Sequence, residues 1–119
     1  MLMPQEIEVW YVLPALRKEL AKIMVSEMKL SQKQAAEILG VTESAISQYK
    51  TAKRASRVQF DEKTLAELRK SAKRIAKDKS LLMREMVQLS KNIRKSQVLC
   101  KIHRSVDTVP RVCAACARP

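Results

Sequence analysis

Apolar residues in this chain recur at helical spacing over most of its length. Leu16, Leu20, Ile23 and Met24 step by three and four within 13–24, so they share one helical face, and Pro14 is acceptable in a first turn. The preceding Ile7, Val9, Trp10, Tyr11 and Val12 fit either a kinked helical extension starting at Pro4 or a short strand. Between 31 and 49 the pattern predicts two short helices. Ser31 followed by Gln34 has the form of a capping box, and Gly40, the only glycine in the chain, stands where that helix would end. Thr42 is placed to cap a second helix running through Tyr49. Ala36, four residues before Gly40, falls where the two helices would cross and a larger side chain would clash. Leu39, Val41, Ile46 and Tyr49 fall at the positions that must be apolar to lock the pair.

From Asp61 the chain reads as long helix. Leu65, Leu68, Ala72, Ile75, Lys79, Leu82, Met86, Leu89 and Ile93 form a heptad seam interrupted at Lys79, and Lys63, Lys70, Lys77, Arg84 and Lys91 recur every seven residues opposite it. One continuous coiled coil and a two-helix hairpin are both compatible with this pattern. We favour two helices, because Ser80 is a good N-cap, Lys79 breaks the seam, and the flanking Arg69, Ala76, Met83, Ser71, Asp78 and Glu85 offer little complementary charge. Either form needs a partner for its apolar seam, so a homodimer is expected.

Composition narrows the class. A chain of 119 residues with one Gly, four Pro and four aromatics among 46% hydrophobic residues has few turn formers and a core of Leu, Ile, Val, Met and Ala. This predicts an all-helical protein, too small for a two-lobed cofactor enzyme. The expected divisions are 1–60, a dimerisation segment over 61–97, and a tail over 98–119. Net charge is +12, which suits a polyanion, with an anionic membrane surface as the other option. Residues 1–28 sum to −1, 29–60 to +4 and 61–105 to +8, so the excess begins after the first helix. The seven-spaced basic stripe reads first as the solvated back of an amphipathic helix, adding only nonspecific attraction to DNA. Two adjacent aromatics near the N-terminus do not make a base-stacking platform. The first residues hold no basic, apolar export pattern, so a cytoplasmic protein with no membrane span is expected.

The short helices and tight turn over 31–49 make a helix-turn-helix, and Gln32, Ala36, Gly40, Val41, Ile46, Ser47 and Gln48 resemble that of the Cro and phage-repressor (XRE-like) regulators. More narrowly, Val9 through Arg17, Leu30-Ser31-Gln32, Gly40-Val41-Thr42 and Ala45 through Tyr49, with a cysteine-bearing end, resemble small archaeal predicted transcriptional regulators. Two positions depart from the family pattern: Ala35 is small where Leu or Ile is common, and Ile38 is apolar where a polar residue is usual, so Ile38 is expected to face the first helix or another subunit. The resemblance implies a lambda-repressor-like domain over about 4–60 whose second short helix enters the major groove of double-stranded DNA. The base-reading candidates are then Thr42, Glu43, Ser44, Ser47 and Gln48. Gln48 suits adenine, Glu43 the cytosine amino group, and the serines act as adaptable donors. Phosphate contacts fall to Gln32, Lys50, Lys53, Arg54 and Arg57. A structural role competes at two of these positions. Thr42 caps its helix with or without DNA, and Glu43 is favourable in a first turn through the helix dipole alone, which weighs toward structure.

All three cysteines and the only histidine lie within seventeen residues, as Cys100-x2-His103 and Cys113-x2-Cys116. Paired ligands with two residues between them grip a metal from one turn, and the four complete a tetrahedral Cys3His shell for structural zinc or, with the same soft donors, an iron-sulfur cluster. The competing reading is an unstructured tail with incidental thiols. Three cysteines in a reducing compartment argue against a disulfide framework, and the Cys-x2-Cys lacks the strand-helix-strand setting of a redox motif. No second histidine, glycine-rich phosphate loop or convergent carboxylates are present, so no enzyme and no small-molecule substrate is expected. The resulting expectation is a dimeric, sequence-specific transcriptional regulator. A nonspecific RNA- or ribosome-associated protein and a protein-only adaptor using the helical seam are the alternatives.

Overall fold

The computed structural model describes residues 3–49 and 58–95, and every element among them is helical. The chain is helical without a break from α1 (Pro4–Ile7) through a π-helical stretch (Glu8–Val12) into α2 (Leu13–Ser26). This settles the N-terminal ambiguity as a helical extension rather than a strand. Pro14 explains the π stretch: it has no N–H to give, and its ring would crowd the carbonyl four residues back. The widened turn accommodates the ring, and the Leu13 N–H reaches back five residues to the Glu8 carbonyl. Ile7, Val12, Leu16, Leu20 and Met24 are fully buried, each side chain contributing about 1.5–3 kcal/mol by leaving water.

Lys29, in left-handed conformation at φ 60°, reverses the chain after α2. The Leu30 N–H then bonds the Met24 carbonyl at 3.0 Å, which delivers Ser31 to the head of α3 (Gln32–Leu39). The capping box is present in both directions: the Gln34 N–H donates to Ser31 Oγ at 3.1 Å, and the Ser31 N–H donates to Gln34 Oε1 at 2.9 Å. Gly40 ends α3 at φ 67°, ψ 31°. Its N–H reaches the Glu37 carbonyl at 3.3 Å and the Val41 N–H reaches Ala36 at 3.0 Å, the paired bonds of a Schellman ending. Thr42 then caps α4 (Glu43–Tyr49), its Oγ1 accepting the Ala45 N–H at 3.0 Å. Ala35 is fully buried, and Ile38 packs partly buried against the core of its own chain.

Asp61 caps α5 (Glu62–Lys77) by accepting the Thr64 N–H at 2.8 Å. The hairpin reading holds: Asp78 is extended, a single 3-10 turn covers Lys79–Leu81, and α6 (Leu82–Lys95) follows. The cap differs from the expected Ser80. Asp78 makes it, accepting from the Ser80 N–H at 3.0 Å and from the Ser80 hydroxyl at 2.7 Å, because the shorter-reaching serine is already inside the turn. These bonds also hold the Asp78 carboxyl below its ordinary pKa.

The seam finds its partner inside one chain. Leu68, Ala72, Ile75, Leu89 and Ile93 are buried in the same apolar cluster as α2 and α3, with α5 lying on α2 and α6 folded back on α5. The unpartnered seam that motivated a homodimer is therefore accounted for within the monomer. Lys79, the break in the heptad, points to α3 and places its ammonium 2.6 Å from Glu37, lowering that carboxyl's pKa by hydrogen bond and charge. Two flanking positions credited with little complementarity also meet each other: Glu85, 4% exposed, accepts from the Ser71 hydroxyl at 2.8 Å and from Arg74 Nη1 at 2.7 Å. Burial alone would raise the Glu85 pKa, but these two bonds and the charges of Arg74 and Arg84 outweigh it and hold the carboxyl below its usual range. Lys63, Lys70, Lys77, Arg84 and Lys91 are all exposed, as a solvated stripe requires.

Candidate nucleic-acid interface

The outer face of α4 follows from its register. At about 100° per residue, Glu43, Ser47, Ser44 and Gln48 fall within an arc of roughly 140°, with Ala45, Ile46 and Tyr49 on the remainder. The structure agrees with this division: Ile46 is buried and Tyr49 half-buried against α2, whereas Thr42, Glu43, Ser44, Ser47 and Gln48 are all exposed. Polar side chains thus cover one side of a short helix whose other side is fixed in the core. Thr42 has its Oγ1 committed to the cap, leaving its hydroxyl proton as the group it can offer outward.

Gln32, at the head of α3, comes to this face. Its Oε1 accepts from the Ser47 hydroxyl at 3.5 Å, joining the first turn of α3 to the exposed side of α4. The chain therefore brings together Gln32, Thr42, Glu43, Ser44, Ser47 and Gln48. The expected phosphate anchors Lys50, Lys53, Arg54 and Arg57 lie outside the described residues, as do the expected metal ligands Cys100, His103, Cys113 and Cys116. Among the described residues no cluster of three or more His, Cys, Asp or Glu is arranged to hold a metal ion, and no helix is long and apolar enough to cross a membrane.

Two lysines with no signal for this placement in the sequence pattern lie beside the face, next to Gln32. Lys18 and Lys22, one turn apart on α2, line a cleft of about 360 Å³ together with Gln32, Ile46 and Tyr49. Neither lysine forms a salt bridge among the described residues. Their i, i+4 spacing was visible as a helical pair, but their adjacency to Gln32 depends on how α2 crosses α3 and α4. Burial raises the Tyr49 pKa despite the opposing charge of Arg17, so its phenol is a neutral hydrogen-bonding group at the cleft's end. The resulting surface has adaptable polar groups at its centre and ammonium groups at one flank. That is the arrangement a duplex requires, with base edges in the groove and phosphates beside it.

No curated protein and no solved structure matches the chain. A family model described as Helix-turn-helix matches residues 19–59, which take in most of α2, all of α3, the Gly40 turn and α4. Over those residues, about a third of the chain, the protein is similar to helix-turn-helix domains.

Proposed function

We propose that the protein is a sequence-specific, double-stranded-DNA-binding transcriptional regulator that reads bases with the exposed face of α4. The observation that carries this is the outward presentation of that face by capped helix ends. A Schellman ending at Gly40 and a threonine cap at Thr42 hold α4 with Glu43, Ser44, Ser47 and Gln48 outward and Gln32 alongside. Gln48 is the base reader of choice because its amide can pair with adenine at two points; Ser44 and Ser47 adapt to several edges. Gln32, Lys18 and Lys22, with Lys50, Lys53, Arg54 and Arg57 from the following segment, would hold phosphates and set register. In this role the protein is not an enzyme and works in the cytoplasm.

Selection of bound duplexes from a random pool, followed by competition at physiological salt, tests the reading. A preferred sequence should be bound at least about 1,000-fold more tightly than random duplex. Gln48→Ala should cost about 1–3 kcal/mol on that sequence and relax preference at one base pair, whereas Arg54→Ala should weaken all sequences alike. The +12 charge supports a second reading, a nonspecific RNA- or ribosome-associated protein. Equal affinity for any polyanion, falling steeply with salt, would establish that reading and refute the first.

Two finer features belong to the proposal. Two copies acting on half-sites one helical turn apart would make a dimeric regulator, and the number of chains per selected duplex measures it. Cys100, His103, Cys113 and Cys116 would hold zinc or an iron-sulfur cluster, as their paired spacing suggests. Anaerobic purification with metal analysis and a visible spectrum decides the matter. Colourless, metal-free protein whose stability ignores chelator removes the site.

A further inference from the structure

Every large hydrophobic residue that is prominently exposed among the described residues belongs to one of two neighbouring segments. Met3, Val9 and Trp10 are 58%, 56% and 40% exposed at the N-terminal end, and Met83 and Val87 are 78% and 48% exposed on α6. Between the segments runs a trough of about 550 Å³, floored by Leu13, Leu39, Leu82 and Met86 and edged by Val9, Met83 and Val87. Its rim is cationic. Arg17, Lys91 and Arg94 line it, and the acid there, Glu8, is bound by Arg94 at 2.7 Å. Arg17 and Lys91 have no salt-bridge partner among the described residues.

We infer that this trough is a docking groove for an acidic amphipathic helix of another protein. An apolar floor between two helical segments accepts the side chains that a helix presents at i, i+3, i+4 and i+7, and unbranched methionines on such a surface adapt to differing shapes. The same N-terminal segment that contributes Val9 to the trough also exposes Met3 and Trp10. The unpaired cations select acidic residues flanking the apolar stripe. A second copy of this chain is the poorer occupant because it brings the same cationic rim and an excess of positive charge. Duplex DNA satisfies the cations but offers nothing to the apolar floor. The groove is also placed to report on the reading unit, since Leu39, the last residue of α3 before Gly40, forms part of its floor.

The test uses the full chain and a model peptide of about 18 residues, long enough to sustain a helix, with a leucine stripe and glutamates elsewhere. Trp10, the sole tryptophan, reports binding by its fluorescence alongside titration calorimetry. The peptide should bind, and two controls should bind at least tenfold more weakly: one with lysines replacing the glutamates, and one of the same composition with the stripe scrambled. Met83→Ser and Val87→Ser, at exposed positions and without change of charge, should weaken peptide binding tenfold while leaving affinity for duplex DNA unchanged. Failure of the peptide to bind overturns the inference, as does equal binding of the scrambled control, which would reduce the effect to charge. A dimer in light scattering that Met83→Ser dissociates would assign the groove to a second copy. Sedimentation with phosphatidylglycerol vesicles that Met83→Ser abolishes would assign it to a lipid surface. Either result replaces the protein partner.

Discussion

Replacement of Gly40 tests whether the turn that presents α4 is held by backbone conformation or by close packing. A Cβ placed at Gly40 meets nothing within 4 Å, so the space for a side chain exists. The cost must then come from φ 67°, where an L-residue is disfavoured by about 1–2 kcal/mol, offset in part by about 0.4–1 kcal/mol from stiffening the unfolded chain. Gly40→Ala should therefore destabilise by about 1 kcal/mol, and Gly40→Val by more because a β-branched residue tolerates this region worst. Gly40→Asn should cost less than alanine, since asparagine visits the left-handed region with a local hydrogen bond. Urea unfolding with unchanged m-values measures the series. A steric mechanism would rank the variants by volume, alanine before asparagine, and that order would refute the backbone argument. Because the Ala36 and Glu37 carbonyl bonds persist in every variant that keeps the turn, Gly40→Asn should also retain duplex affinity.

Three further outcomes follow from the same geometry. Glu85→Gln should destabilise by about 1.5–3 kcal/mol at neutral pH, the range for a hydrogen bond to a charged group. Because the folded carboxyl lies below its unfolded pKa of roughly 4.3, its contribution is full above that value and is lost as pH falls through the folded pKa. The variant's stability profile should thus be flatter than the parent's in acid, and parallel profiles would exclude Glu85 as the source. Ser31→Ala removes one half of the capping box and should cost about 1 kcal/mol, whereas Ser31→Asp should recover most of it. Lys18→Ala with Lys22→Ala should reduce the slope of log affinity against log salt by about 2 if both lysines meet phosphates, and an unchanged slope would remove them from the interface.

How far the sequence could be read depended on the range of the interactions concerned. The capping box at Ser31, the glycine ending at Gly40 and the threonine cap at Thr42 are contacts within four residues, and residue type alone predicts them. The break between α5 and α6 was legible for the same reason, although Asp78 rather than Ser80 supplies the cap. The fate of the seam was not legible, because a heptad states that a face is buried without saying what covers it. Here α2 and the hairpin itself cover Leu68, Ile75, Leu89 and Ile93. The exposure of Thr42, Glu43, Ser44, Ser47 and Gln48 follows from local register, since Ile46 and Tyr49 fix the rotation of α4. Lys18 and Lys22 entered the candidate interface only through the crossing of α2 with α3 and α4, a relation with no signature in local spacing.

The distribution of ion pairs gives the +12 charge a division of labour that segment sums do not reveal. All four salt bridges among the described residues take their cation from the hairpin: Arg69, Arg74, Lys79 and Arg94. Three of their acids lie in the N-terminal half: Glu8 in the π-helical stretch, Glu27 just after α2 and Glu37 in α3. As exposed or rim pairs these contribute little to stability. A carboxylate paired with a cation opposes an approaching polyanion less, within a Debye length of about 8–10 Å, than an unpaired one does. Lys18 and Lys22, by contrast, enter none of these bridges and remain available at the cleft beside Gln32. The charge is thus divided: cations of the hairpin are taken up in part by acids of the N-terminal segment, and Lys18 and Lys22 are left at the cleft beside Gln32.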